Sequence, residues 1–394
     1  MARPCVLLKY GELMLKGRNR GKFEEYLRES LRHAVAGASA PVRISQRPGV
    51  VVLSGAPVEE LVECAQKVIG VSVVRPALRT ARTVDDTVET VLQALTERFG
   101  SPEEETAKRR FAVRAHRRDK TFPMKSEQLA AHLGSKVVEA RGWPVDLSNP
   151  EVEITVEVDQ REVFVALDKL RGQGGLPVGA SGRALVMLSG GFDSPVAAYR
   201  AMRRGLRCDF VHFTGAPLTG PSSTYKAYAL VRQLDRFQGD SRLYVIPIGN
   251  AQRALATAGA GNLQIVAQRR LMVRTAAALA RDLGAQALVT GDSLGQVASQ
   301  TLANMATVEQ AAELPLLRPL VAFDKEEIIA EARRIGTAEI SKLPDEDCCS
   351  LLAPPRVATK TTPAQFVNVE RRMELDELVP KLLADIQVHV PGAA

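Results

Sequence analysis

Apolar and polar positions alternate in two different textures along this chain, and the change falls near residue 170. Before it, CVLLKY predicts a strand, residues 22–36 an amphipathic helix, GVVVLSG a second strand and residues 58–69 another helix. That succession is the α+β pattern of a small ferredoxin-like unit, although many small folds share it. Helical spacing returns at residues 85–99 and 126–140, accompanied by strand-like runs at RFAVRAH, EVEITVEV and EVFVALD. The last two, joined across residues 159–161, alternate apolar with polar positions as a half-buried hairpin does.

Beyond residue 183 the apolar runs become short and continuous. ALVML, CDFVHF, LYVIPI and ALVTG suit parallel strands buried on both faces, with helical patterns at residues 194–204, 223–237 and 265–283 between them. Strands alternating with helices predict a doubly wound parallel sheet, whose ligand site lies at the carboxyl ends of its strands. LRGQGGLPVGASGR breaks the periodicity on both sides with glycines and a proline. The main break is placed there, which divides the chain into residues 1–59, 60–170, a linker at 171–183, and 184–394.

Length supports more than one core, since 394 residues exceed the ~250–300 at which single cores stop growing. The 52 Lys and Arg against 45 Asp and Glu give a net charge of +7, which favours a polyanionic partner. Between Lys108 and Lys125 the bias is local: eight basic residues face a single Asp, enough to neutralise phosphates in a salt-sensitive way. Five cysteines with no CxxC pair argue against a disulfide framework and a zinc ribbon. With no signal-like start and no apolar run near the ~18 residues of a membrane span, a soluble protein of the reducing cytoplasm is expected.

Residues 189–194, SGGFDS, carry the clearest chemistry, because they stand directly between the strand ALVML and the helix PVAAYRAMRRG. Gly190 and Gly191 allow a tight turn and close approach of backbone to an anion. Ser189 and Ser194 offer hydroxyls, Pro195 suits a first helical turn, and the helix aims free N–H groups at the same point. The loop is not a Walker A sequence, since GxxxxGK[ST] is absent. A plain Ser/Gly turn is the alternative for the hexapeptide alone, and its position at a first βα turn favours phosphate.

SGGFDS resembles the SGGxDS signature of PP-loop ATP pyrophosphatases, which cleave ATP to AMP and pyrophosphate while adenylating an acceptor. LKYGELMLKGRNRGKFEEYL resembles the opening of tRNA 4-thiouridine synthetases, and FAVRAHRRDKTFP with VDLSNPEVEITVEV is similar to the RNA-binding THUMP domain. VTGDSLGQVASQT and RPLVAFDKEEII match later blocks of the synthetase, so the resemblance reaches to about Lys360. It implies a ferredoxin-like unit, a THUMP domain and a PP-loop domain of the adenine nucleotide alpha hydrolase type. The implied activity is ATP-dependent sulfur transfer to a tRNA uridine, at position 8, with ATP and Mg2+ as cofactors. By the same resemblance Met187, Leu188, His212 and Phe213 line the adenosine pocket, while Ser189, Gly190, Gly191 and Ser194 hold phosphates. Arg269, Gly291 and Gln300 complete the nucleotide contacts, Asp193 acts through Mg2+ or orients the phosphates, and Lys325 is catalytic. Each has a plain alternative: Met187 and Leu188 as core, His212 as a packing residue, Arg269 as a solvated charge.

Cys348 and Cys349, in PDEDCCSLLAPP, are the candidates for carrying sulfur. By resemblance Cys349 is the catalytic cysteine that bears a persulfide; two small buried hydrophobes are the alternative. Asp345, Glu346 and Asp347 should raise the thiol pKa values, an effect that Arg356, Lys360 or the nucleotide site would offset. Cys208 reads either as a resolving thiol or as a buried strand cysteine. Longer relatives carry a rhodanese-like domain after the catalytic one, and this chain ends soon after Val390. Sulfur is therefore expected from a cysteine desulfurase directly or through another persulfide donor. Arg114, Arg117, Arg118 and Lys120 are the expected RNA contacts, with Phe122 stacking or packing. A homodimer is a reasonable expectation for a protein that spans a tRNA. Such synthetases also feed thiamine thiazole synthesis in some bacteria, which the residues do not decide. The rivals are a PP-loop ligase using another nucleophile and a non-catalytic tRNA-binding protein.

Overall fold

β1 (Arg3–Lys9) buries four successive residues, Cys5 to Leu8, as only a strand covered on both faces does. In the computed structural model, which describes residues 2–103, 105, 107–346, 352 and 354–392, it lies inside a sheet ordered β2-β3-β1-β4-β7-β6-β5. The chain forms two compact units, Met1–Glu24 with Leu31–Gly175, and Leu176–Ala394 with Glu25–Ser30.

The first unit follows its sheet. After β1 come α1 (Arg20–Ala34), β2 (Arg43–Arg47), β3 (Val50–Ser54), α2 (Val58–Lys67) and β4 (Val73–Thr80). Then follow α3 (Val84–Phe99), β5 (Phe111–Arg117), α4 (Ser126–Arg141), β6 (Val152–Val158), β7 (Val163–Ala166) and the short β8 (Leu170–Arg171), which also pairs with β4. β4 joins the two halves of the sheet, antiparallel to β1 on one edge and to β7 on the other. The hydrophobic pattern predicts no strand there, because Pro76, Arg75 and Arg79 break the apolar run. The expected hairpin is present, with β6 antiparallel to β7 and Val158 opposite Val163. Trp143 is fully buried under this sheet, with Phe99 and Phe111 meeting its ring edge-on at 5.4 and 6.1 Å.

The second unit is built on β9 (Arg183–Met187), α5 (Asp193–Arg203), β10 (Arg207–Thr214), α6 (Ser222–Gln238), β11 (Leu243–Pro247), α7 (Gly249–Thr257), α8 (Gln264–Asp282) and β12 (Ala287–Val289). It continues with α9 (Leu302–Glu309), β13 (Leu316–Leu317), α10 (Lys325–Arg334), α11 (Ala338–Ser341), α12 (Val367–Arg372), α13 (Leu375–Ala384) and β14 (Gln387–His389). The sheet order is β13-β12-β9-β10-β11-β14, parallel except for the edge strand β14. Helices α5, α6, α10 and α11 form one packed group, and α7, α8, α9 and α13 another. The chain winds outward from β9 through β10 to β11, then returns to β9's other edge as β12. The carboxyl end of β9 is therefore the topological switch point, where an open α/β sheet leaves a crevice.

Candidate active site

At that end the chain does what the loop's composition requires. Leu188 extends the ladder, its N–H donating to the Val211 carbonyl at 2.8 Å, and SGGFDS then turns into α5. Ser194 closes the turn: its hydroxyl accepts from the Ser189 N–H at 2.8 Å and donates to the Ser189 carbonyl at 3.1 Å. Ser194 thus shapes the loop and also lines the cavity beside it. Gly191 fixes the loop from behind, its carbonyl accepting from Ser341 Oγ at 3.1 Å.

Two glycines are required by space. A Cβ on Gly291, just past β12, would lie 2.6 Å from the Ser194 nitrogen and 2.8 Å from the Asp193 carbonyl carbon. One on Gly190 would lie 2.3 Å from an Asp345 carboxylate oxygen. These bare backbones let the ends of β9 and β12 meet around a cavity of about 290 Å3. Met187, Phe213, Ile265, Met272 and Val273 give it an apolar end; Ser189, Gly190, Asp193 and Ser194 give it a polar one. His212 lines it too and is buried, its Nδ1–H donating to the Leu188 carbonyl at 2.9 Å. It packs the strand ends as well as facing the cavity. Of the expected nucleotide residues, Leu188, Arg269, Gly291 and Gln300 also line the cavity, and Gly191 does not.

Asp292 organises the polar wall and was not singled out by pattern. It is 3% exposed and pairs with Arg269, accepts from Thr290 Oγ1 at 2.9 Å and Gln300 Nε2 at 3.2 Å, and meets Arg318 Nε at 3.4 Å. Burial alone would push its carboxyl up, but the charges of Arg269 and Arg318 and the hydrogen bonds outweigh it and hold the pKa below the usual range. Arg269, expected to serve polyphosphate, therefore shares its charge with this carboxylate. Lys325 begins α10 and pairs with Asp193 at 2.8 Å, while Gln296 Nε2 reaches the same carboxylate at 3.2 Å. Asp193 and Lys325 are so brought together at the loop, although Lys325 does not itself line the cavity.

The polar residues fit a nucleotide in that glycines stand where phosphates need backbone, and an apolar slot adjoins them. The thiamine biosynthesis protein (ThiI) family matches residues 179–375, the THUMP domain residues 81–168 and the ThiI ferredoxin-like domain residues 5–74. A probable tRNA sulfurtransferase of Nocardia farcinica is 59% identical, across 98% of this chain and 94% of its own length. The chain belongs to the tRNA sulfurtransferase family. A second member, from Thermus thermophilus, is 41% identical across 96% of this chain and 92% of its own. Among solved structures, a 4-thiouridine synthetase–RNA complex with bound ATP superposes with a TM-score of 0.88 at 30% identity, covering 98% of this chain and 99% of that one.

For a sulfurtransferase the thiols matter next. Cys348 and Cys349 lie outside the described residues. Cys208 is fully buried on β10, and burial pushes its thiol up to about 12, the behaviour of a packed strand cysteine. Cys5 is buried likewise, with its thiol also pushed up to about 12 by desolvation. The acidic approach to the cysteine pair is partly neutralised: Lys226 pairs with Asp345 at 3.0 Å, and Glu346 accepts from the Gly220 N–H at 2.6 Å.

The basic run of the first unit is more engaged than its charge count suggests. Arg118 pairs with Glu157 at 2.5 Å, a buried carboxylate that Lys9 also reaches at 2.5 Å. Burial would raise Glu157, but those two cations keep its carboxyl below the usual range. Arg114 donates to the Leu147 carbonyl at 2.5 Å, and Arg117 to the Phe122 carbonyl at 3.3 Å. Lys120 is exposed. Phe122 is buried beneath the Arg82 guanidinium, so it packs rather than stacks on a base.

Proposed function

We propose that this chain is an ATP-dependent tRNA sulfurtransferase that converts a uridine, at position 8 of tRNA, to 4-thiouridine. The observation that carries the reading is the SGGFDS turn, closed by Ser194 and facing a cavity through Gly190 and Gly291. ATP seats its adenine among Met187, Phe213 and Met272 and lays its phosphates along residues 189–194 and the α5 N-terminus. That a 4-thiouridine synthetase of the same fold is solved with RNA and bound ATP supports a nucleotide as the ligand.

Uridine O4 attacks the α-phosphorus, the bond to the β-phosphate oxygen breaks, and pyrophosphate leaves. The base is then an adenylated electrophile at C4. The terminal sulfur of a Cys349 persulfide attacks C4 and expels AMP, leaving a disulfide between Cys349 and the new base sulfur. A second thiol or external reductant breaks that disulfide and releases 4-thiouridine. ATP is needed because it turns a poor leaving oxygen into AMP. Lys325, beside Asp193 at the loop, is placed to balance charge that develops on the phosphates. Mg2+ would arrive with the nucleotide, held through Asp193 and the phosphate oxygens, since no cluster of three or more metal-ligating side chains exists among the described residues. A cysteine desulfurase or another persulfide donor reloads Cys349.

The test is reconstitution of the full chain with unmodified tRNA, ATP, Mg2+, cysteine and a cysteine desulfurase, followed by nucleoside analysis. The reading expects 4-thiouridine and one pyrophosphate per thiolation; an absence of tRNA-dependent pyrophosphate release would overturn it. Cys349→Ser is expected to abolish thiolation over repeated turnovers while tRNA-dependent pyrophosphate release persists. A variant that thiolates at the wild-type rate removes the sulfur assignment and leaves adenylation standing.

A further inference from the structure

Lys226 carries a buried charge that the reaction scheme does not use. It projects from α6, its side chain is 5% exposed, and its ammonium donates to the Leu343 carbonyl at 2.6 Å and to Asp345 at 3.0 Å. Asp345 is a wall of the nucleotide cavity. One of its carboxylate oxygens lies 2.3 Å from where a Cβ of Gly190 would be, and the Lys226 stem lies 3.0 Å from the same point. The carboxylate therefore sits on the bare glycine face of the phosphate loop, against the backbone that a polyphosphate must approach. Two anions cannot share that face, since like charges a few Å apart repel strongly where water is scarce.

From this geometry we infer that Lys226 is a polyphosphate-binding residue held in reserve by Asp345. The Asp345 carboxylate stands in for a phosphate on Lys226 and Gly190, and the arriving polyphosphate displaces it. The exchange suits Lys226, because a buried ammonium is costly without an anion and a polyphosphate carries more negative charge than a carboxylate. It suits Asp345 as well, because its side chain is 18% exposed and has solvent on one side to move into. The chain that follows Asp345 leads within three residues to Cys348, so the contact with Gly190 is broken immediately upstream of the sulfur-bearing pair.

The inference rests on the nucleotide reading of the cavity, and binding measurements separate the two. Affinities for ATP, inorganic pyrophosphate and adenosine are measured by calorimetry at one Mg2+ concentration, for the full-length wild type, Lys226→Met and Asp345→Asn. Loss of Lys226 is expected to weaken ATP and pyrophosphate at least ten-fold. Loss of the Asp345 charge is expected to tighten both about five-fold. Adenosine should stay within two-fold in each variant, which also reports that the cavity is folded. A mere structural brace predicts the same direction for both variants, because each breaks the same ion pair, and that result overturns the inference. So does weaker ATP binding by Asp345→Asn, which would make Asp345 a ligand of the bound state. A wild-type chain that binds neither ATP nor adenosine overturns the nucleotide reading itself; one that binds adenosine but no pyrophosphate overturns only the role of Lys226.

Discussion

A buried carboxylate between two guanidiniums sets the residue scale. Replacing Asp292 by Asn would leave Arg269 and Arg318 facing a neutral amide inside the cavity wall. Breaking such a pair from one side costs about 3 kcal/mol, which urea unfolding of Asp292→Asn should show at neutral pH. The pH dependence has a definite sign. Because the folded pKa of Asp292 is depressed, its contribution is complete above the unfolded value of about 3.9 and is lost as pH falls through the folded one. The stability difference between wild type and variant should therefore shrink below about pH 4, and a constant difference would show that the charge is not responsible. Gly291→Ala tests space instead of charge. Its Cβ would meet backbone atoms of Asp193 and Ser194 at 2.6–2.8 Å, so the phosphate loop itself must shift. Thiolation should fall at least ten-fold while the melting temperature moves by a few degrees, about what a 1–2 kcal/mol loss produces in a domain of this size. Wild-type turnover would mean that the loop does not need its present position.

Among the elements, α10 does the most for the site with the least sequence. Its first residue is Lys325, and the residue before it caps it: Asp324 accepts from the Glu327 N–H at 2.8 Å and Glu327 accepts from the Asp324 N–H at 3.1 Å. Asp324→Ala removes half of that capping box and should cost about 1 kcal/mol. Fraying the first turn loosens the Lys325–Asp193 contact, so activity should fall, but less than in Lys325→Ala; equal losses would mean that the cap is itself part of the chemistry. The helices and parallel strands with long uninterrupted patterns were legible in the sequence, as ALVML and CDFVHF show in β9 and β10. β2 was not, because RISQR is a polar edge strand, and neither was β4, which carries Pro76 within the ladder. α9, α11 and α12 are too short for helical spacing to stand out. The same contrast holds for the site. SGGFDS could be read because its residues are contiguous, whereas Asp292 meets Arg269 and Arg318, and Lys226 meets Asp345, only after strand order has brought distant segments together.

At the scale of the whole molecule the net charge of +7 predicts salt-sensitive tRNA binding, but ion pairs decide which cations deliver it. Within the basic run, Arg110 reaches Asp146 at 3.3 Å, Arg114 reaches Glu153 at 3.7 Å and Arg118 holds Glu157 at 2.5 Å. A cation already compensated releases few counterions from RNA, so the slope of log affinity against log salt should fall short of what eight free charges would give. Lys120, exposed on the loop after β5 and in none of these pairs, is placed to contribute fully. Lys120→Ala should flatten that slope by about one phosphate contact, roughly 0.7–0.9, and leave the melting temperature alone. Arg118→Ala should do the reverse, because removing it leaves the buried Glu157 with Lys9 as its remaining cation. Its melting temperature should drop while the slope of tRNA binding stays near wild type. Filter binding from 50 to 300 mM salt (a range worth about 0.5–0.7 decade in affinity per phosphate contact) with both variants decides the matter. If Arg118→Ala flattens the slope as much as Lys120→Ala does, the ion pair opens to RNA and the buried carboxylate is no anchor.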